Sequence, residues 1–465
     1  MAQPGVALRG AAFSVALWRY SRNDQSARVR APRARNSKPR FLADRQVGTL
    51  SAMTAADQIS YEDLYARWEH GNWSATEIDF TTDREQWHGT LSDIDRRGSL
   101  WTYSMFFHGE DSVTDNLSPY IDAAPKEEQK YFLATQQADE ARHAVLFGRF
   151  MREVVGAGDD AAAALAATDR GLTWGFRKVF ARLDKMASEL RRDRSKPKLA
   201  QAITLYHLVI EAMLAQPGQH FIEEGLKKRD LLPGFREGIA NVSRDEQRHI
   251  AFGVKMLSEL VREDPECVPA IEELLREVMP FTAAVFVPPD WDERYVTAFG
   301  FTLEGLYTHG AEAIEGRLKA AGLEPLQMRI GLPFDLEPTE RARRVLTLLR
   351  AGYLGEPNGT VKPDPEATAL LFDGVRRSVN ASAAPGATIQ WDFSDAEPWH
   401  LDLNGGVPSV APGRAKRADL IFRCRFADWI DLVAGRTEPW KALATGRVRP
   451  RGKLRMLARA PKLFS

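Results

Sequence analysis

Two carboxylate–imidazole pairs recur in this chain with the same neighbours. Glu140 and His143 stand in "DEARH" at 139–143, and Glu246 and His249 stand in "DEQRH" at 245–249. A helix sets residues three apart on one face, so each pair can chelate one cation. A lone Glu-x-x-His carries little information. The chain also holds Glu85/His88 and Glu397/His400, which read as a solvated helix turn and a loop or strand edge. What separates 140/143 and 246/249 is the shared Asp before, the shared Arg between, and their places on two different long helical stretches. Two such helices, with one inward Glu from each of two more, can hold two metal ions inside a bundle.

Glu110, in "FFHGEDSVTDNL", and Glu211, in "YHLVIEAMLA", are the candidates for those two carboxylates. Leu208, Val209, Ile210, Met213 and Leu214 flank Glu211, and burying an unpaired carboxylate in so apolar a run is costly. An ionic lattice with Arg142 and Arg248 is the bland alternative, but buried ion pairs offset their desolvation poorly. Four carboxylates and two imidazoles suit iron or manganese rather than calcium. Zinc fits the ligand types, yet six ligands for two ions leave open positions suited to dioxygen. Asp245, one residue before a ligand, is the candidate to orient His143 across the bundle, with Asp139 in the matching part. His207, four residues before Glu211, is a candidate donor beside it.

The elements that must position these residues read as helices from about 85 to 280. One covers 100–117 and stops at Pro119, and a second starts at Pro125 and runs to Gly156. A third covers 198–228 and a fourth 235–262, so four long helices predict a bundle. Pro217 and Gly218 fall inside the third, where proline removes a backbone bond and is expected to bend it, widening a pocket below the metals.

With these motifs in order, the block from about 77 to 260 resembles the ribonucleotide-reductase-small-subunit-like ligand-binding oxidases of the ferritin-like superfamily. "IDFTTDREQW", "GEDSVTDNLSPY", "DEARH", "YHLVIEAMLA" and "DEQRH" carry the resemblance. It implies an all-α ferritin-like bundle whose six metal ligands are Glu110, Glu140, His143, Glu211, Glu246 and His249. It also implies a manganese–iron cofactor (alternatively two irons), dioxygen as co-substrate, and a long-chain fatty acid bound beside the metals. An ether cross-link between Val113 and Tyr206 follows from the same resemblance. By α-helical spacing Tyr206 lies about 140° around the helix from Glu211, so spacing alone does not select it. Val113, one turn from Glu110, reads by itself as core.

Near 332 the pattern changes. A short helix over about 338–352 precedes "YLGEPNGTVKPDPE", which reads as a linker, and then the period switches to two. "TIQWDF" and "WHLDL" predict a hairpin followed by the turn "NGG", and "ADLIFRCRF" alternates Leu420, Phe422, Cys424 and Phe426 on one face, which makes Cys424 core. The stretch from 365 to 465 resembles the sterol-carrier-protein type two domain through its order of elements and through Gly435, Gly446 and Gly452. That implies a small α+β domain with an apolar tunnel for a lipid, to which Trp391, Trp399, Trp429 and Trp440 could supply aromatic surface. Expected boundaries are 1–55 for a basic extension, 60–330 for the oxidase domain, 331–366 for helix and linker, and 367–465 for the lipid-binding domain.

The 465 residues carry 63 basic and 63 acidic side chains, which leaves no global electrostatic case for nucleic acid. Ten of the first fifty residues are Lys or Arg against Asp24 and Asp44, a composition that predicts disorder. That stretch reads as a basic tail or as an extension ahead of a start at Met53, in preference to an organellar transit peptide. No run approaches eighteen apolar residues, so no transmembrane helix is expected. Cys267 and Cys424 form no framework, and a reducing cytoplasm fits best. The reading is a cytoplasmic dinuclear-metal oxidase of a lipid or long apolar substrate, with an unidentified electron donor and dimerisation as a family-level expectation. Its alternatives are a ribonucleotide reductase small subunit, or a lipid carrier whose metal site is structural.

Overall fold

Ser92 opens the first bundle helix, Asp93–Asn116, by accepting the Asp95 N–H while the Asp95 carboxylate accepts the Ser92 N–H. The computed structural model describes residues 59–357 and 359–463. The basic segment and Met53 lie outside the described residues. The second bundle helix, Glu127–Phe150, ends in one π-helical stretch, Met151–Val155, and stops at Gly156, whose φ of 77° suits glycine. The third runs from Lys196 to Arg229, and the fourth is Pro233–Glu263.

Two prolines act differently from expectation. The first helix ends at Asn116, and Pro119 sits in the opening turn of a short helix, Ser118–Ala123, where its missing N–H costs nothing. The second helix begins at Glu127 rather than at Pro125.

The third helix is irregular just before the proline and not at it. Its irregular part is a 12-residue π-helical span, Thr204–Ala215, and Pro217 stands in the first turn of the α-helix that follows, Gln216–Arg229. Where a wide turn tightens into a narrower one a backbone donor is surplus, so a residue without one fits. Neither Pro217 nor Gly218 lines the cavity below the carboxylates; Ile210, Glu211, Leu214 and Ala215 of the π-helical span do. Gly218 instead admits Phe106, whose ring would stand 2.9 Å from a Cβ there. By length and composition this helix could span a bilayer, which the sequence reading did not anticipate, but 83% of its most apolar window is buried inside the protein.

Close approach fixes the bundle. The third and fourth helices meet where a Cβ on Gly253 would lie 2.2 Å from the His207 Cβ. Further apolar residues from helices Trp174–Leu190 and Cys267–Thr282 complete the main core.

The second core belongs to a five-stranded sheet in the order β3-β2-β1-β4-β5. Its strands are β1 (Thr388–Phe393), β2 (Trp399–Asp402), β3 (Ser409–Pro412), β4 (Leu420–Cys424) and β5 (Val448–Gly452). β1 pairs in parallel with β4, and every other pairing is antiparallel. Phe372, on helix Pro365–Ser378, stacks on Trp399 at 4.6 Å and on Trp429 of helix Phe426–Val433 at 4.8 Å. Cys424 is buried in this core as its alternation predicts, whereas Trp440 is exposed, its Nε1 donating to Glu438 and Lys441 standing over its ring. Gly435 and Gly446 hold φ near 69° and 68°, and a Cβ on Gly452 would strike the Asp419 carbonyl oxygen at 2.4 Å. In the stretch read as a linker, Tyr353 is fully buried in the second core, its hydroxyl accepting from Asp364 N at 2.7 Å.

Candidate metal centre

All six residues singled out as ligands converge in the middle of the bundle, and none is more than 5% exposed. Glu110 comes from the first helix, Glu140 and His143 from the second, Glu211 from the π-helical span of the third, and Glu246 and His249 from the fourth. They form two overlapping groups. One oxygen or nitrogen from each of Glu110, Glu140, His143 and Glu246 lies within 4.8 Å of the others, and the same holds for Glu140, Glu211 and His249. Glu140 is common to both groups. Glu246 reaches toward both histidines, 3.8 Å from His143 Nδ1 and 3.7 Å from His249 Nδ1.

The two imidazoles are held alike, each by an aspartate from the opposite helix. His143 Nε2 lies 3.3 Å from Asp245 Oδ2, and His249 Nε2 lies 3.1 Å from Asp139 Oδ2. With Nε2–H donating outward, each Nδ1 faces the carboxylates. The aspartates anchor an outer ring. Trp68 Nε1 donates to Asp139 at 2.9 Å and Trp73 Nε1 to Asp245 at 2.8 Å. Arg248 bonds both aspartates, and Arg142 pairs with Asp139 and, at 3.4 Å, with Asp245. The arginines therefore serve the ring, and no arginine or lysine reaches the six inner residues among the described ion pairs.

That leaves the inner cluster short of hydrogen bonds. Glu140 Oε2, His143 Nδ1, Glu211 Oε2, Glu246 Oε2 and His249 Nδ1 are buried with no hydrogen-bond partner. Four carboxylates face at most two imidazolium charges, so protons must be trapped. Burial pushes Glu110 up to about 8 against the pull of His143, and it raises Glu211 and Glu246 as well. Glu140 resists burial because the charges of His249 and His143 hold it well below the usual carboxylate range. The imidazoles are drawn well above their ordinary value, despite burial, by Glu110 at His143 and by Glu140 at His249. A pair of divalent cations relieves every one of these conflicts, and the donor set of carboxylates and imidazoles suits manganese or iron.

Around the cluster, Tyr206 donates its hydroxyl to Glu140 Oε1 at 2.8 Å. Val113 is buried on the wall of a cavity of about 60 Å³ that Glu110, Glu140, Glu211 and Glu246 also line. The π-helical span explains why Tyr206 reaches the centre against its α-helical spacing. Its backbone bonds run from residue i to i+5, which brings residues five apart, such as Tyr206 and Glu211, toward one line. His207 does not touch Glu211. Its Nε2 lies 3.1 Å from Gln136 Oε1, and Gln136 in turn donates to Glu211 Oε1 at 2.7 Å. Burial, with the charge of His249, lowers His207 to about 3, so it stays neutral. Gln136 escaped the sequence reading although it lies four residues before Glu140, on the same face; Trp68 and Trp73 gave no signal, since their partners lie 71 and 172 residues away. Glu85 and His88 are exposed, Glu397 is exposed, and His400 bonds the Gly413 carbonyl, so these two pairs stand apart from the centre.

The family described as ribonucleotide reductase, small chain, matches residues 54–282, and the SCP-2 sterol transfer family matches residues 376–465. Among solved structures, an R2-like ligand-binding oxidase variant with an aerobically reconstituted Mn/Fe cofactor is similar at 23% identity and a TM-score of 0.51. The match covers 57% of this chain and 94% of that one. Another variant, with an anaerobically reconstituted Mn/Fe cofactor, matches at 23% identity and a TM-score of 0.49, over 57% of this chain and 94% of its own. The first of these establishes the fold. The helical part of this chain thus matches the ribonucleotide reductase small-chain family and has the fold of an R2-like ligand-binding oxidase, and its C-terminal domain matches the SCP-2 sterol transfer family.

Proposed function

We propose that the helical domain is an oxygen-activating oxidase with a manganese–iron (or di-iron) centre, acting on a lipid or other long apolar substrate. Glu110, Glu140, His143 and Glu246 would hold one ion, and Glu140, Glu211 and His249, with Glu246 in reach, the other. The observation that carries this reading is the set of five buried, unbonded donor atoms on these residues. Bound there, the two ions would supply redox chemistry with dioxygen.

The surrounding residues account for what such chemistry needs from the chain. Asp139 and Asp245 take the Nε2 side of each imidazole, which leaves Nδ1 as the atom that would meet a metal. Met105, Phe106, Phe176 and Phe180 exclude water from the cavity beside the carboxylates, which accepts an apolar chain. Tyr206 and Val113 are the proposed partners of an internal ether. Forming it removes the phenolic hydrogen of Tyr206 and one C–H hydrogen of Val113, and the two electrons and two protons pass to dioxygen. Glu140 Oε1 already accepts the phenolic proton, and burial with the Glu140 charge keeps Tyr206 neutral until it is oxidised. The SCP-2 domain would bind the lipid. Cys267 and Cys424 are buried free thiols, as a reducing cytoplasm would leave them.

Intact and peptide mass spectrometry after aerobic loading with manganese and iron tests the reading. Loss of two hydrogens, mapped to the peptides with Val113 and Tyr206, is expected, and it is absent from Val113→Ala and Tyr206→Phe. A free phenol at Tyr206 with a tyrosyl radical signal would instead favour a ribonucleotide reductase small subunit. Protein that takes up neither metal from supplemented cells would leave a lipid carrier.

A further inference from the structure

The sheet of the C-terminal domain has one packed face and one open face. Leu420, Trp391 and Phe422 belong to the second core, where Phe372 and Trp429 meet Trp391 at 5.2 and 5.8 Å. The alternate residues of β1, β4 and β5 therefore share the opposite face. Register sets them in two rows across the strands, Asp392–Arg423–Arg449 and Gln390–Ile421–Arg451. The loop after β3 crosses the same face. Its Ala415 N donates to Gln390 Oε1 at 3.1 Å, which covers Gln390, and Arg414 pairs with Asp392 at 2.8 Å. Arg414, Lys416, Arg417, Arg423, Arg449 and Arg451 are all exposed.

Against these six cations the strands of this face present two carboxylates. Asp392 is shared between Arg414 and, at 3.3 Å, Arg423, while Asp402 accepts from Asn404 N at 2.8 Å. Lys416, Arg417, Arg449 and Arg451 are in no ion pair among the described residues. Arg423 and Arg449 stand directly opposite each other, and like charges so placed destabilise a sheet. Charges on β5 protect an edge strand from pairing with another chain, but that need does not extend to β4 or to the loop. The zero net charge of the chain conceals this segregation.

A partner for such a face is anionic and flat. None of the six cations lines a described cavity, so the face offers no groove to a peptide or a nucleic-acid strand. Its strands carry no Phe, Tyr or Trp on which a base could stack. Ile421 and Ala411 are its apolar strand residues, both half-buried, and they are too few to form the apolar centre of a protein–protein interface. A layer of acidic phospholipid headgroups needs neither groove nor apolar centre, only cations within reach.

We infer that the open face of the sheet docks, by charge alone, on an anionic phospholipid bilayer, with these six side chains against the headgroups. Nothing inserts, so docking is reversible and weakens with salt. The domain that matches the SCP-2 sterol transfer family then meets lipid at a membrane surface. This goes beyond the oxidase reading and does not rest on it.

Sedimentation of the full-length, metal-loaded protein with sucrose-filled vesicles tests the docking. The vesicles are phosphatidylcholine with and without about 30% phosphatidylglycerol. Binding is expected only to the anionic vesicles, and it should vanish between about 0.1 M and about 1 M salt, as the Debye length falls from about 10 Å to about 3 Å. Each cation near such a surface is worth about fivefold in partitioning. Arg423→Gln, Arg449→Gln and Arg451→Gln together should therefore weaken binding by about a hundredfold. Lys at the same three positions should keep it, and Arg191→Gln, Arg192→Gln and Lys228→Gln, exposed on the helical domain, should leave it unchanged. Hydrogen–deuterium exchange with vesicles present should protect β5 and the loop over 413–417. Equal loss from both Gln triples, protection confined to residues 1–50, or tighter binding to a short DNA duplex than to anionic vesicles at the same salt overturns the inference. Docking needs neither metals nor ether, so its failure leaves the oxidase reading standing, and failure of the oxidase leaves the docking standing.

Discussion

Replacing Asp245 by Asn should weaken one metal position and spare the other. Asp245 Oδ2 receives His143 Nε2 at 3.3 Å and Trp73 Nε1 at 2.8 Å, and Oδ1 receives Arg248 at 3.0 Å. Despite burial, its bond and ion pair with His143 hold this carboxyl far below the usual carboxylate range, so it is anionic at neutral pH. The amide keeps the shape and one acceptor but loses the charge that fixes Nε2–H and makes Nδ1 basic. Losing such a partner of a metal-bound histidine costs about 10- to 100-fold in affinity, or about 1.4–2.7 kcal/mol. The loss should fall on the ion held with Glu110 and His143, because His249 is oriented by Asp139 instead. Competition titration with a chromophoric chelator, resolved into two binding steps, measures it. Asp139→Asn should produce the mirror-image result. Equal weakening of both steps in each variant, or none in either, would refute the crossed-aspartate reasoning.

The metal-free protein should lose stability as pH rises from about 5 to about 8. Folding raises Glu110 from 4.5 to about 8 and lifts Glu211, Glu246, His143 and His249 too, so through this window the folded state holds more protons than the unfolded one. Thermal melts with a chelator present should fall across it, and saturating manganese and iron should flatten the curve. Gly253→Ala would drive a Cβ to 2.2 Å from His207; denaturant titration should show a loss of about 1–3 kcal/mol. Phe372→Ala removes the ring stacked on Trp399 and Trp429, and about 3–5 kcal/mol should be lost from the sheet domain's own unfolding transition. Glu85→Gln should leave metal content unchanged, since Glu85 and its neighbour His88 are exposed.

The α-helical half of the centre was legible in sequence because three-residue spacing has one meaning on an α-helix. That spacing put Glu140 beside His143 and Glu246 beside His249, and the shared aspartates foretold the crossed pairing. Glu211 was found from apolar context, which reports burial whatever the helix type, and Glu110 from its place on the helix before the first pair. Placing Tyr206 and His207 by α-helical spacing failed for one reason. Angles counted at 3.6 residues per turn fail across Thr204–Ala215, where the backbone bonds span five residues. Trp68 and Trp73 depend on contacts between distant parts of the chain, and no local pattern encodes those. In the C-terminal domain the period-two pattern located β1, β2 and β4, but the parallel pairing of β1 with β4 is a matter of topology.

Anomalous diffraction from crystals of the aerobically loaded protein, at the manganese and iron edges, tests the central claim most directly. Two peaks about 3.5–4 Å apart are predicted, one among Glu110, Glu140, His143 and Glu246 and one among Glu140, Glu211 and His249. A single peak, or protein that binds both metals with neither located between these residues, would contradict it.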